Sequence, residues 1–154
     1  EEALNNIPPH IHASCLVGYK KGETLHLIGF GNGAAVVIRD GESGKVLHPS
    51  DENKIVSSLG AILAGDVVVL ATEQFLRLAP VPTLEEFFQR GSFDEAVEQI
   101  GPIIHGQERS WGAAAVIFKI HARENKEDDN VGHVLKGVSF AKIINYGKRT
   151  FLLR

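Results

Sequence analysis

Between His10 and His48 polar and apolar residues alternate, the period-two pattern of half-buried strands. His10 to Tyr19 runs to a turn at Lys20-Lys21-Gly22, and Thr24 to Phe30 reads as its antiparallel partner. Ala34 to Arg39 follows, then a turn at Asp40-Gly41, with Ser43-Gly44 before Lys45 to His48, so the pattern predicts a meander of four strands. Ser50 to Ser58 is polar and reads as a loop, and Leu59 to Leu63 is a short apolar stretch leading to Gly65-Asp66. Val67 to Ala71 then breaks the alternation: it has no polar face, which predicts a strand covered on both sides. A rigid sheet holds the side chain at the exit of such a strand, and here that side chain is Glu73, beside the bulky Gln74.

Beyond Glu73 the period lengthens to that of a helix. Phe75, Leu76, Leu78 and Ala79 form a short helical turn ended by Pro80 and Pro82. Thr83 is the expected cap of a second helix, with Glu86 at the capping-box position and Phe87 and Phe88 on its buried side. Ser92 caps a third, with Glu95 three residues on and Ala96, Val97, Ile100, Ile103 and Ile104 as its apolar stripe. Gly112 to Ile120 returns as a strand. Strands, then helices, then a strand is an α+β order of antiparallel strands packed with helices rather than a series of βαβ units. Glu1 to Asn6 reads as the end of a helix stopped by Asn5, Asn6 and Pro8-Pro9, as though the chain opened inside an element, which predicts an excised or processed piece.

Three segments carry a resemblance. The run Gly65-Asp66-Val67-Val68-Val69-Leu70-Ala71-Thr72-Glu73-Gln74, the stretch Thr24 to Val37 around Gly31-Asn32-Gly33, and Ser110 to Ile120 with Trp111-Gly112 resemble, in the same order, three strands of the metal-dependent PPM (PP2C-like) protein phosphatases. The resemblance covers roughly the last two-thirds of such a domain and implies its layered sandwich. It also implies where a binuclear Mg or Mn centre would sit. The family's turn aspartate falls on Asn32, its Asp-Gly pair on Glu73 and Gln74, and its closing acidic pair near Trp111 and Gly112. Two bridged dications need hard anionic oxygens. An amide and an indole cannot supply them, and Glu73 carries an extra methylene, so the expectation is a pseudophosphatase-like module with no resident cofactor. If the chain were an enzyme, it would be a Mn- or Mg-dependent serine/threonine phosphatase with Glu73 as metal ligand, Asp66 recruited beside it and further ligands upstream. Otherwise Asp66 caps its own turn.

Composition bounds these readings. With 154 residues, 44% hydrophobic and 23% charged, the chain has the make-up of one ordinary globular domain. The division expected is a partial phosphatase-like domain over residues 1–121, a charged linker or loop over 122–130, and a basic apolar segment over 131–154. That last segment holds five Lys and Arg and no acid, so within a total of −3 the first 130 residues carry −8. An acidic body argues against nucleic acid as partner. No run of eighteen apolar residues and no signal peptide is visible, and the single Cys15 excludes an intrachain disulfide and fits a buried thiol in a reducing, cytoplasmic compartment. The ending Lys148 to Arg154 reads either as a strand or helix docked on the domain or as a juxtamembrane stretch, tethered to the inner face of a membrane by sequence beyond Arg154.

The remaining candidates are weaker chemistry. His10 and His12 share one face of a strand, as a metal site needs, but no third ligand is placed beside them, and His26, His48, His105, His121 and His133 are scattered. The glycine-rich turn Gly29 to Gly33 could cradle an anion, but no helix follows it, and positive φ in a tight turn explains it. Ser14 and Cys15 lack an orienting acid and an oxyanion donor. Trp111, the only tryptophan, either fills the volume of a lost metal cluster or anchors a protein partner. Three functions follow as expectations: a non-catalytic binding, scaffold or regulatory module of bacterial type with a protein partner, the divergent phosphatase, and a structural assembly module whose strand edges pair with another chain.

Overall fold

The computed structural model describes residues 14–48, 54–106 and 112–122 in full and the backbone of strand 138–145. Eight strands and three helices are described: β1 (Cys15–Lys21), β2 (Thr24–Phe30), β3 (Gly33–Arg39), β4 (Glu42–Leu47), β5 (Val56–Ala61), β6 (Val67–Thr72), α1 (Glu73–Leu78), α2 (Val81–Arg90), α3 (Phe93–His105), β7 (Ala114–Ile120) and β8 (Val138–Asn145). They form a three-stranded sheet in the order β1-β2-β5 and a five-stranded sheet in the order β4-β3-β6-β7-β8, antiparallel at every pairing.

Three layers result. One face of the five-stranded sheet, through Val36, Ile38, Val67, Val69, Ala71, Ala115 and Ile117, packs on Phe75, Ala79, Leu84, Val97, Ile100 and Ile104 of the helical layer. Its other face, through Ala35, Val68 and Ile120, meets Leu25 and Leu27 of the smaller sheet. The two-sided apolar run therefore has its cause: in β6, the middle strand, alternate residues serve two cores, and Val68 and Val69 are both 0% exposed. Full burial of each such side chain contributes about 1.5–3 kcal/mol.

The helices follow the expected period, with one difference in capping. Ser92 and Glu95 form the reciprocal capping box of α3, and Ala96, Val97, Ile100 and Ile104 are its buried stripe. The second helix starts earlier than Thr83 marks. Pro80 is its N-cap, with no side-chain bond, and a proline lies in its first turn, where the missing N–H would be unpaired anyway.

The strands depart from the simple meander. Of the four strands expected as a meander, β1–β2 and β3–β4 pair as hairpins but β2 and β3 do not pair with each other. Between β2 and β3 the chain changes sheets, through Gly31 at φ +75° and a bond from the Gly33 N–H to the Gly31 carbonyl of 3.0 Å. The approach is close at Gly33, where a Cβ would stand 2.9 Å from Leu16 Cδ1 and 3.2 Å from the Ala71 carbonyl oxygen, so that the Leu16 side chain would have to shift. The Ser43-Gly44 pair lies inside β4, and the stretch expected as a loop before Ser58 contains the first half of β5, an edge strand paired with β2. Its two serines and its exposure hide the strand from a hydrophobicity argument. Cys15 corrects another expectation: it is exposed, because β1 turns it away from the core. Val138–Asn145 is the strand pairing with β7 at the edge of the larger sheet. Residues 146–154 lie outside the described residues, as does the expected end of a helix at Glu1 to Asn6.

Candidate functional site

The segments that carry the resemblance meet at one end of the five-stranded sheet. Gly33 is paired with Thr72, and Ala71 with Ala115, so the start of β3, the end of β6 and the start of β7 lie side by side. The Glu73 N–H donates to the Asn32 carbonyl at 2.7 Å, which ties the first two together. Thr72 joins the third: its hydroxyl donates to the Gly112 carbonyl at 2.8 Å and accepts from the Ala114 N–H at 3.0 Å. The same oxygen accepts from the Phe75 N–H at 3.3 Å and so caps α1. A hydroxyl has one donor and two acceptor sites. All are engaged, and Thr72 works as the fastener of the three strand ends.

Glu73 occupies the first position of α1. Its Oε1 lies 2.7 Å from Arg77 Nη2, one helical turn on, and its side chain is 46% exposed. Among the described residues the site thus presents one carboxylate already in an ion pair, the residue Asn32 and a glycine, Gly112, at φ +80°. This donor set does not fit a binuclear metal centre, which needs several anionic oxygens converging between two dications. Among the described residues no three His, Cys, Asp or Glu side chains converge. Trp111, His10, His12 and His133 lie outside the described residues, while His26, His48, His105 and His121 are exposed and spread over different elements. Ser14 and Cys15 are both exposed, and the Gly29–Gly33 turn leads into β3 rather than a helix.

Asp66 belongs elsewhere. It stands just before β6 and Glu73 just after it, so the strand separates them by roughly 20 Å. The expectation that the two could share a metal is therefore wrong, and the reading of Asp66 as the cap of its own turn is right: its Oδ2 accepts from the Leu63 N–H at 2.7 Å. The sequence did not reveal its second partner. Arg39 bonds it through both oxygens, Nε to Oδ1 at 2.8 Å and Nη2 to Oδ2 at 2.7 Å, and Nη2 also reaches the Ala61 carbonyl at 3.2 Å. The signal lay in the register, since Ile38 pairs with Val67 and Arg39 and Asp66 are the next residues outward. Burial pushes the Asp66 carboxyl up, but the bonds from Arg39 and Leu63 outweigh it and hold the group below the usual carboxylate range.

Comparison with known proteins places this architecture. No protein-family model and no curated protein sequence matches the chain. Solved structures do, and they are serine/threonine phosphatase domains of the PP2C type. PppA, described as a key regulatory component of T6SS in Pseudomonas aeruginosa, superposes with a TM-score of 0.58 at 11% identity, over 75% of this chain and 60% of that one. The Mycobacterium tuberculosis serine/threonine phosphatase PstP/Ppp gives 0.59 at 12% identity, over 70% and 59%. The phosphatase domain of the cell fate determinant SpoIIE from Bacillus subtilis gives 0.57 at 12%, over 77% and 63%. The chain has a PP2C-like α+β fold and spans about three-fifths of the length of these structures.

Proposed function

We propose that this chain acts as a non-catalytic, protein-binding module of regulatory or scaffolding type, built on a PP2C-like fold whose metal chemistry has been given up. The observation that carries the reading is the donor set at the three strand ends. The strand ends where the resemblance would put metal ligands are tied together by the 2.7 Å bond from the Glu73 N–H to the Asn32 carbonyl, and the described positions there are Asn32, Gly112 and a glutamate paired with Arg77. One structural relative, the catalytic domain of PstP, is described in complex with two manganese ions. Another, PppA, is described as regulatory, which supports a regulatory role for the fold in other hands. Among the described residues no helix is long and apolar enough to cross a membrane.

Calorimetric titration of Mn and Mg into the longest available form of the protein, with Glu73→Ala alongside, tests the reading. The expected result is no micromolar binding in either form and no Mn-dependent hydrolysis of phosphopeptides. Micromolar Mn binding abolished by Glu73→Ala would overturn it in favour of a divergent metal-dependent phosphatase.

A further inference from the structure

Four of the seven large apolar side chains exposed among the described residues, Val17, Tyr19, Ile28 and Leu59, share one surface. Leu16, Leu25, Leu27 and Val56 turn one face of the three-stranded sheet to the core shared with the larger sheet. On the opposite, outer face the register sets Val17 beside Ile28, and Tyr19, His26 and Leu59 in one row across all three strands. Val17 is 52% exposed, Tyr19 62%, Ile28 50% and Leu59 72%, and the Tyr19 and His26 ring centroids are 6.1 Å apart. The next row, Lys21, Thr24 and Ala61, ends the apolar surface with a cation, and Lys20 adjoins Lys21 at the hairpin tip. The paired rows hold no carboxylate, and Glu23 stands in the turn beyond them. An exposed apolar patch with a charged rim marks an interaction site on a globular domain.

Charge and shape decide what fits there. A second copy of the chain is a poor match, because stacking two outer faces would set the lysines against a surface that holds no acid. Asp94, Glu95 and Glu98 of α3 are exposed acids, but the described helices present no exposed large apolar side chain beside them. The occupant has to carry apolar groups and carboxylates together. Three strands about 4.8 Å apart make a face roughly 10 Å wide, the diameter of one helix. From Val17 to Lys21 the face runs roughly 13 Å along β1, the rise of about nine helical residues. We propose that the outer face of β1, β2 and β5 docks an acidic amphipathic helix of a partner protein. Its apolar stripe lies over Val17, Ile28, Tyr19 and Leu59, and its carboxylates meet Lys20 and Lys21. Tyr19 supplies the large amphipathic anchor that such interfaces favour. The inference goes beyond the reading of the strand ends at Glu73, since it stands whether or not they hold metal.

Fluorescence anisotropy of a labelled synthetic helix of about three turns, leucine on one face and glutamate on the other, titrated with the full chain, tests it. Saturable binding in roughly the micromolar range is expected, as for a small interface. Leu59→Asp should weaken it about tenfold and Lys20→Glu/Lys21→Glu several-fold, while both exposed sites keep the melting temperature of the parent. The same helix with lysine in place of glutamate should bind more weakly. No binding of the acidic helix, equal binding by Leu59→Asp, or equal affinity for the lysine helix would overturn the proposal. So would self-association that Leu59→Asp disperses, which would assign the face to a second copy. Adsorption to phosphatidylserine vesicles without binding of the helix would overturn it in favour of a membrane surface.

Discussion

The backbone N–H of Glu73 is bonded to the carbonyl of Asn32 at 2.7 Å, although the two residues are far apart in the chain. The bond uses only main-chain atoms, so the strand ends keep their arrangement whatever the two side chains are. Glu73→Ala therefore removes a carboxylate without disturbing the scaffold. Its ion pair with Arg77 is an exposed i,i+4 contact of the kind that contributes about 0.3–0.5 kcal/mol. Urea unfolding of Glu73→Ala is expected to give a midpoint close to that of the parent, which makes this variant a clean control for metal titration.

Thr72 is the opposite case, because its side chain holds the site together. Thr72→Val keeps the shape and the β-branch but leaves the Ala114 and Phe75 N–H groups and the Gly112 carbonyl without that partner. A loss of about 1–3 kcal/mol is expected in denaturant unfolding. Thr72→Ser, which keeps the hydroxyl, should recover most of it. If Val and Ser variants unfolded alike, the hydroxyl network would have no part in stability.

The Arg39–Asp66 pair predicts a pH dependence of defined sign. The Asp66 carboxyl is held below its ordinary value of 3.8, so its contribution to stability is complete above that pH and declines as the pH falls toward the lowered folded-state value. Asp66→Asn should cost about 2–3 kcal/mol near neutrality, since it weakens charge-assisted bonds from Arg39 and Leu63. Below pH 4 the gap between variant and parent should narrow, as measured by urea midpoints across the acid range. A gap constant with pH would contradict the assignment.

Gly41 turns the β3–β4 hairpin at φ +84°, and its carbonyl accepts from Gln89 Nε2 at 2.6 Å, which ties the hairpin to α2. A Cβ there would collide with the Gln89 side chain and would also adopt a left-handed conformation, a cost of about 1–2 kcal/mol from the backbone alone. Gly41→Ala should lower the melting temperature. Adding Gln89→Ala should relieve the collision but not the backbone strain, so the double variant is expected to recover only in part.

What could be read from the sequence followed the strength of its periodic signal. The Val67–Ala71 run, the Ser92–Glu95 capping box and the stripe from Ala96 to Ile104 were legible because each pattern has one physical cause. The order of the three segments around Asn32, Glu73 and Gly112 was legible as well, and the structure brings those segments together. β5 was not, because an edge strand exposing Ser57 and Leu59 has little hydrophobic pattern to show. Nor was the division into two sheets. Alternation shows that a strand has a buried face but not which sheet it joins, and the β2–β3 connection resembles a hairpin turn in sequence while changing layers in space. Arg39 escaped for a related reason: its partner is set by cross-strand register, and single-chain periodicity does not contain it.

β6 is a party wall between two rooms. Val67, Val69 and Ala71 furnish the helical side and Val68 and Leu70 the other, so neither core can be opened while that strand remains seated. The fold then has little room for partial melting: a lesion at Val68 is transmitted to the helices, and one at Val69 to the small sheet, through the same six residues. Amides on both sides of the wall are therefore expected to exchange with a common free energy, and loss of the strand would collapse the molecule as one cooperative unit.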